Sequence, residues 1–124
     1  IEVDKRMKDS GIRAFGVHPG GIMTPLQRHL EQEEMVALGW MDEDGQPTER
    51  VAKMFKTPTQ GASTSLWAAT SPQLNDIGGV YCENCEVAAP TDDGENARFI
   101  GVNDWAADSE EASRLWDETE RMLS

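Results

Sequence analysis

The topology of this chain depends on residues 11–25, Gly11-Ile12-Arg13-Ala14-Phe15-Gly16-Val17-His18-Pro19-Gly20-Gly21-Ile22-Met23-Thr24-Pro25. Its first half is a nearly continuous apolar run, which predicts a strand covered on both faces, as parallel strands in α/β proteins are. A Pro-Gly-Gly turn then ends the strand. Thr24 is a candidate N-cap, followed by a proline at the first helical position and a glutamine three residues on, so a helix is predicted to begin there.

This order of elements indicates a ligand site. In open α/β sheets ligands bind at the carboxyl ends of strands, and the free amides of a helix N-terminus attract phosphates. Glycine allows the backbone to approach a ligand closely. The candidate binding residues are Pro19, Gly20, Gly21, Ile22 and Thr24. Spacing alone leaves open an ordinary strand-to-helix turn in which the threonine is only an N-cap.

A family resemblance rests on these residues. The run Gly11–Ile22 resembles the segment of short-chain dehydrogenases/reductases that follows their Tyr-x-x-x-Lys helix, and it is most similar to the retinol-dehydrogenase-like branch. The similarity continues through Gln60-Gly61-Ala62, Gly78-Gly79-Val80-Tyr81 and Arg114-Leu115-Trp116. It therefore covers nearly the whole chain.

Several parts of the family pattern have no counterpart here: the Gly-rich phosphate loop, the catalytic Ser and the Tyr-x-x-x-Lys pair. The resemblance puts that pair on the helix ending at Ser10, roughly two to three turns before Ile1. We therefore expect residues 1–124 to be the C-terminal portion of one Rossmann-like, doubly wound parallel sheet, as a βαβ unit plus a C-terminal helix. We expect a partial sequence with no catalytic residue, inactive alone.

The resemblance implies an oxidoreductase whose complete form transfers hydride between NAD or NADP and an alcohol or carbonyl. The turn Pro19–Ile22 would pack against the nicotinamide, and the Thr24 hydroxyl would reach the carboxamide or diphosphate. Methionine and tryptophan after the turn suit a lipophilic substrate, although they equally suit a core or subunit contact. The resemblance also allows a homo-oligomer formed through the helix that ends at Ser10.

The remaining elements follow from local signals. Residues 1–10 read as the tail of a helix stopped by Gly11, and residues 25 to about 38 read as a helix. The sequence Thr57-Pro58-Thr59-Gln60 predicts another helix start, with Ala62, Leu66 and Ala69 as its apolar positions. The small residues of this helix would allow close packing on a sheet, namely Gly61, Ala62, Ser63, Ala68 and Ala69. Residues 78–82 are a second strand candidate, so that strand, helix and strand form a βαβ pattern that requires parallel pairing.

Two parallel strands alone are not a stable sheet, and we infer that partner strands are missing. Residues 89–103 read as a loop. At the end of the chain Asp108 predicts a helix N-cap. The following helix is expected to dock through an apolar stripe made of Ala112, Leu115, Trp116, Thr119, Met122 and Leu123.

The cysteines, histidines and charged residues outside the candidate binding residues do not indicate a further catalytic or metal site. Cys82 and Cys85 form a lone Cys-x-x-Cys without the further ligands of a zinc site or a following helix, so two reduced thiols are expected and no metal. His18 is expected to be a hydrogen-bonded packing residue, and His29 to lie on the surface. In the helix predicted after Asp108, the charged residues Arg114, Glu118 and Arg121 are expected to form a solvent-exposed face.

The net charge and the hydropathy limit the classes of partner that this chain is expected to bind. The net charge of −12 disfavours nucleic acid and anionic membranes. No apolar run approaches the roughly 20 residues that a membrane span needs, so a cytoplasmic location is predicted. Two alternatives to the oxidoreductase stay open: a non-catalytic protein-interaction domain derived from the same fold, and a small thiol-redox or zinc protein.

Overall fold

A three-stranded sheet organises the computed structural model, which describes residues 1–91 and 100–124. Strand β1 (Phe15–His18) pairs in parallel with β2 (Val80–Glu83), which pairs antiparallel with β3 (Glu86–Val87). The helices, in chain order, are α1 (Glu2–Met7), α2 (Gln32–Ala37), α3 (Glu49–Met54), α4 (Pro58–Thr70) and α5 (Ser109–Leu123). Short 3₁₀ helices span Lys8–Ser10, Pro25–His29, Pro72–Leu74 and Asp104–Ala106.

Contacts divide the chain into two units. Unit 1 is Ile1–His18 with Thr64–Ser124, and unit 2 is Pro19–Ser63. The sheet and α5 lie in unit 1. The turn after β1 lies in unit 2, together with α2 and α3.

The parallel pairing of β1 with β2 confirms the predicted βαβ unit. Phe15 lies opposite Val80, and Val17 lies opposite Cys82. Parallel neighbours require a long crossover, and α2, α3 and α4 lie between the two strands along the chain. The architecture is therefore mixed α/β. A doubly wound parallel sheet is not established, because β3 is antiparallel and only three strands occur in residues 1–91 and 100–124.

Sequence analysis did not predict the hairpin between β2 and β3, because it assigned no strand after the second cysteine. Its two loop residues, Asn84 and Cys85, both have positive φ, 49° and 60°. This is the backbone of a type I′ hairpin turn, for which Asn-Gly is the strong sequence signal. Cysteine occupies the glycine position at a steric cost of roughly 1–2 kcal/mol, which hides the signal.

A partly buried ion pair joins α1 to the segment before β1. The Asp4 carboxylate accepts hydrogen bonds from Arg13 Nε at 2.8 Å, Arg13 Nη2 at 3.1 Å and the Ala14 amide at 3.0 Å. These bonds hold the pKa of Asp4 below its ordinary value, with the guanidinium as the largest cause and the amide next. The expected helix tail ends as predicted at Gly11, whose φ is +77°.

The helix predicted for residues 25–38 is not continuous. The 3₁₀ helix that begins at Pro25 ends at Leu30, which has extended backbone (φ −90°, ψ 130°). A second capping box then starts α2, in which the Glu31 amide donates to Glu34 Oε2 at 3.0 Å. The break was not predicted because glutamate is a poor N-cap signal.

Helix α4 begins where predicted, but its buried face was predicted only in part. The Thr57 amide donates to Gln60 Oε1 at 2.9 Å, as a capping box requires. The buried positions are Gly61, Thr64 and Ala68. The expected apolar stripe of Ala62, Leu66 and Ala69 is exposed. Gly61 and Ala68 belong to the small residues expected to allow close packing, whereas the burial of Thr64 was not predicted.

Helix α5 is capped as predicted and docks only in part. Asp108 Oδ1 accepts from the amides of Glu110 and Glu111 at 2.7 and 3.1 Å. Trp116 is half-buried, and the Arg6 guanidinium lies 4.7 Å from its ring centroid.

Four members of the predicted stripe remain exposed, namely Leu115, Thr119, Met122 and Leu123, which corrects the expectation of full docking. Leu115 is 69% exposed, Met122 is 72% exposed and Leu123 is 83% exposed. In the part of the chain that the structure describes, the surface packed against α5 is narrower than the apolar stripe of that helix. In the preceding segment Pro90 pairs with Val102, and the part of the predicted loop at 92–99 lies outside the described residues.

Candidate functional site

The predicted binding residues form a tight turn in unit 2, which we call the glycine corner (Pro19–Thr24). Gly20 has φ +91°, a conformation that favours glycine. A Cβ atom on Gly20 would lie 2.9 Å from Lys56 Cδ, and one on Gly21 would lie 2.9 Å from Phe55 Cε1. Glycine at position 20 is therefore favoured by its backbone conformation, and a larger residue at position 21 would require the Phe55 ring to move.

Two further contacts fix the corner within unit 2. The Lys56 amide donates to the Gly21 carbonyl at 2.8 Å, and Ile22 pairs with Lys56 in an isolated parallel bridge. Ile22 also packs against Gly61 in the first turn of α4, where an added Cβ would lie 2.0 Å from Ile22 Cδ1. The corner thus lies between the segment before α4 and the helix itself.

Thr24 is an N-cap in this structure. Its Oγ1 accepts from the Leu26 amide at 3.2 Å and donates to Gln27 Oε1 at 3.1 Å. Gln27 Oε1 also accepts from the Thr24 amide at 2.7 Å, and Gln27 Nε2 donates to the Ile22 carbonyl at 3.0 Å. The capping alternative left open by the sequence is therefore realised. A ligand contact from this hydroxyl requires it to turn away from Gln27.

The corner is accessible from outside. Pro19 and Gly21 are exposed, whereas Gly20, Ile22 and Thr24 are half-buried. Backbone groups at a glycine turn can therefore come close to a flat ligand. The structure brings all five predicted residues into one turn.

In unit 1, His18 packs on Tyr81. The two rings are nearly parallel, with centroids 6.5 Å apart and an interplanar angle of 15°. Burial, followed by the charge of Glu83, raises the pKa of Tyr81. Tyr81 is the one tyrosine of the sequence, and Cys85 stands four residues after it instead of lysine. These two rings therefore do not reproduce a Tyr-x-x-x-Lys arrangement.

Unit 1 also contains a cavity of about 560 Å³ that sequence analysis missed. Its lining is mostly apolar and includes Tyr81, Val87, Val102 and Trp105. Residues from β2, β3 and the segment before α5 converge there only through tertiary structure. No local spacing indicates such a site.

Both cysteines are free thiols. Cys82 is fully buried, and burial raises the pKa of its thiol. Cys85 is exposed, its Sγ lies 4.0 Å from Thr64 Oγ1, and its amide donates to that oxygen at 3.3 Å. Within residues 1–91 and 100–124 there is no cluster of three or more metal-ligating side chains.

The charged residues of α5 lie on its solvent face, as predicted. Arg114 pairs with Glu111 at 2.6 Å, and Arg121 pairs with Glu118, whose pKa is lowered mainly by that hydrogen bond. His29 is exposed, also as predicted. Among the described helices, none combines the length and the apolar character needed to cross a membrane.

Comparison with known proteins gives strong similarity over almost all of the chain. It is 42% identical over 113 residues to a protein named "Probable oxidoreductase" from Streptomyces lividans, covering 91% of this chain and 37% of that protein. It is 34% identical over 123 residues to short-chain dehydrogenase/reductase prx1 of Penicillium roqueforti, covering 99% and 34%. This chain is homologous to short-chain dehydrogenases/reductases.

The predicted branch is also represented among these relatives. Human retinol dehydrogenase 11 is 31% identical over 116 residues, covering 94% of this chain and 29% of that protein. The chain thus spans about a third of the length of these curated relatives. No family model matches the sequence, and no solved structure matches it.

Proposed function

We propose that these residues are the C-terminal portion of an NAD(P)-dependent short-chain dehydrogenase/reductase. The complete protein would transfer hydride between NAD or NADP and the alcohol or carbonyl group of a lipophilic substrate. The observation that carries the proposal is the glycine corner, which follows directly on the carboxyl end of a parallel strand in a chain homologous to oxidoreductases. Ligands of open α/β sheets bind at this kind of position.

The corner would suit a nicotinamide ring because Gly20 and Gly21 have no side chains of their own, and the side chains of Lys56 and Phe55 lie beside them. Pro19, Gly20, Gly21 and Ile22 would present backbone and a short apolar surface to it, and so exclude water from one of its faces. The Thr24 hydroxyl would donate to the carboxamide or diphosphate. The bound cofactor would supply the hydride acceptor or donor, and these residues would hold and orient it.

The proton-transfer chemistry of the family is not supported by residues of this sequence. Tyr81 has no lysine four residues later, and His18 packs on Tyr81. We therefore expect the isolated 124-residue chain to have no oxidoreductase activity.

A lipophilic substrate is supported by the composition of unit 2 and by the names of some relatives. Trp40 packs edge-on against Phe55, with ring centroids 5.8 Å apart, and Met23 and Met41 are half-buried. Methionine and aromatic side chains adapt to apolar ligands. One relative is named a retinol dehydrogenase. The cytoplasmic location and the homo-oligomer remain predictions.

A second candidate is a non-catalytic interaction domain. It is favoured by the exposed apolar residues of the helices, among them Leu66 at 63% and Leu123 at 83% exposure. Such side chains pack against a partner in many assemblies. An interaction domain predicts a monodisperse protein without affinity for nicotinamide cofactors.

The test expresses the open reading frame that encodes these residues and follows NAD(P)H by its absorbance. The substrates are a panel of primary and secondary alcohols, aldehydes and ketones, and the isolated chain is assayed in parallel. We expect turnover by the full reading-frame product and none by the isolated chain. If the protein from the full reading frame consumes no cofactor with any substrate, the proposed oxidoreductase activity is wrong. Turnover by the isolated chain would contradict the conclusion that it contains no catalytic residues.

A further inference from the structure

One cationic side chain lies against the glycine corner. Lys56 is half-buried, and the Cδ, Cε and Nζ atoms of its side chain lie 2.9, 3.0 and 3.2 Å from the position of a Cβ atom built on Gly20. Its own amide donates to the Gly21 carbonyl. The backbone bond fixes the start of the side chain, and the missing side chain of Gly20 leaves the space that the lysine stem occupies.

Two other cations of unit 2 make their contacts within their own helices. Arg28 donates to the carbonyl of Pro25 in its own 3₁₀ helix at 2.8 Å, and Lys53 pairs with Glu49 at 2.6 Å on the surface of α3. Lys56 is distinguished by its position on the corner. A lysine there matters because the chain carries a net charge of −12, which would otherwise repel an anionic ligand.

We propose that the Lys56 ammonium binds a phosphate group of a dinucleotide whose nicotinamide lies against the glycine corner. This inference rests on the proposed function and adds a residue to it. A lysine is a compact, rotatable charge that suits phosphate oxygens. In a nicotinamide dinucleotide the nearest anionic group to the nicotinamide is the phosphate on its ribose, so a cation beside the corner meets that group.

A purely structural role for Lys56 and a role in phosphate binding predict different effects of substitution. If Lys56 only covers the corner with its methylene stem, then Lys56→Met keeps that contact and changes nothing. If the charge matters, Lys56→Met loses binding and Lys56→Arg retains most of it. Lys53→Met is the matched control, since it removes the same charge from the same unit at an exposed site.

The experiment titrates the ¹⁵N-labelled product of the complete open reading frame with nicotinamide mononucleotide, nicotinamide riboside and inorganic phosphate, and follows the amide resonances of Gly20 and Gly21. We expect the mononucleotide to shift them. Lys56→Met should weaken that binding roughly tenfold, as expected for loss of a charge-assisted hydrogen bond. Lys53→Met and Lys56→Arg should change it by no more than about threefold. Binding of the riboside, which lacks phosphate, should be equal in all variants.

The outcomes separate the two proposals. Mononucleotide binding at the corner that Lys56→Met leaves unchanged overturns this inference alone. Inorganic phosphate that binds as tightly as the mononucleotide identifies a free-anion site and overturns the dinucleotide assignment. If none of the three probes shifts the corner in the wild-type product of the complete reading frame, the proposed function fails, and the inference fails with it.

Discussion

Replacing Gly61 by alanine tests whether helix α4 holds the glycine corner in place. A Cβ atom at this position would lie 2.0 Å from Ile22 Cδ1 and 3.0 Å from Ile22 Cγ1. Carbon atoms pack at about 3.5–4.0 Å, so the side chains must move apart. Alanine adds about 0.5–1 kcal/mol of helix stability over glycine, whereas overpacking typically costs about 1–3 kcal/mol. We expect a net destabilisation of about 1–2 kcal/mol.

A second substitution shows whether this contact is the cause. Ile22→Ala removes both atoms that the new Cβ meets, so the double variant should be more stable than the sum of the single effects, by at least about 1 kcal/mol. Ser65→Ala, on the exposed side of α4, is the control and should be neutral or slightly stabilising.

Urea unfolding followed by tryptophan fluorescence measures these differences, and thermal unfolding should shift by roughly 4 °C per kcal/mol for a chain of this size. The reasoning is refuted if Gly61→Ala stabilises the chain as Ser65→Ala does, or if the two substitutions combine additively.

Three other perturbations address unit 1. Gly78→Ala would place a Cβ atom 2.0 Å from Asp4 Oδ1 and 2.3 Å from Arg13 Nη2, so we expect a clear fall in melting temperature and weaker protection of the Ala14 amide from hydrogen exchange. Because Arg13 and a backbone amide lower the pKa of Asp4, its stabilising effect is present above the ordinary pKa of 3.8 and is lost as pH falls below it. Asp4→Asn should therefore lower stability at neutral pH and flatten the acid limb of the pH profile, and an unchanged limb would contradict the assignment. With iodoacetamide at mildly alkaline pH, the exposed Cys85 should react much faster than the buried Cys82, whose pKa is raised, and equal rates would contradict their burial.

Local signals in the sequence were sufficient for three of the helix starts, whereas the starts of α2 and α3 were not predicted. The capping residues Thr24, Thr57 and Asp108 each precede a helix, and each makes hydrogen bonds with backbone amides or a capping-box partner. A cap depends on residues two or three apart, so sequence spacing alone describes it. The parallel pairing of β1 with β2 also followed, because the length of the connection excludes a hairpin.

Tertiary contacts accounted for what sequence analysis got wrong. The buried face of α4 is set by Gly61, which makes room for Ile22, and by Thr64, which bonds the Cys85 amide. Neither choice appears in an apolar pattern. The hairpin after β2 was hidden because cysteine occupies a position where glycine is the usual signal.

The candidate site also combines residues that the sequence predicted with residues that only the tertiary structure revealed. The glycines of the corner were identified from one continuous stretch of sequence. Phe55 and Lys56, whose side chains lie beside those glycines, come more than thirty residues later and reach the corner through one backbone hydrogen bond and one bridge. Spacing does not encode such a contact, so the lysine was not considered.

The central claim is that the glycine corner contacts the nicotinamide end of a cofactor. The most direct measurement is of intermolecular nuclear Overhauser effects between nicotinamide ring protons of the mononucleotide and the protein. The account predicts cross-peaks to the α-protons of Gly20 and Gly21 and to the Ile22 side chain. Cross-peaks confined to Tyr81 and Trp105 in the cavity of unit 1 would contradict it.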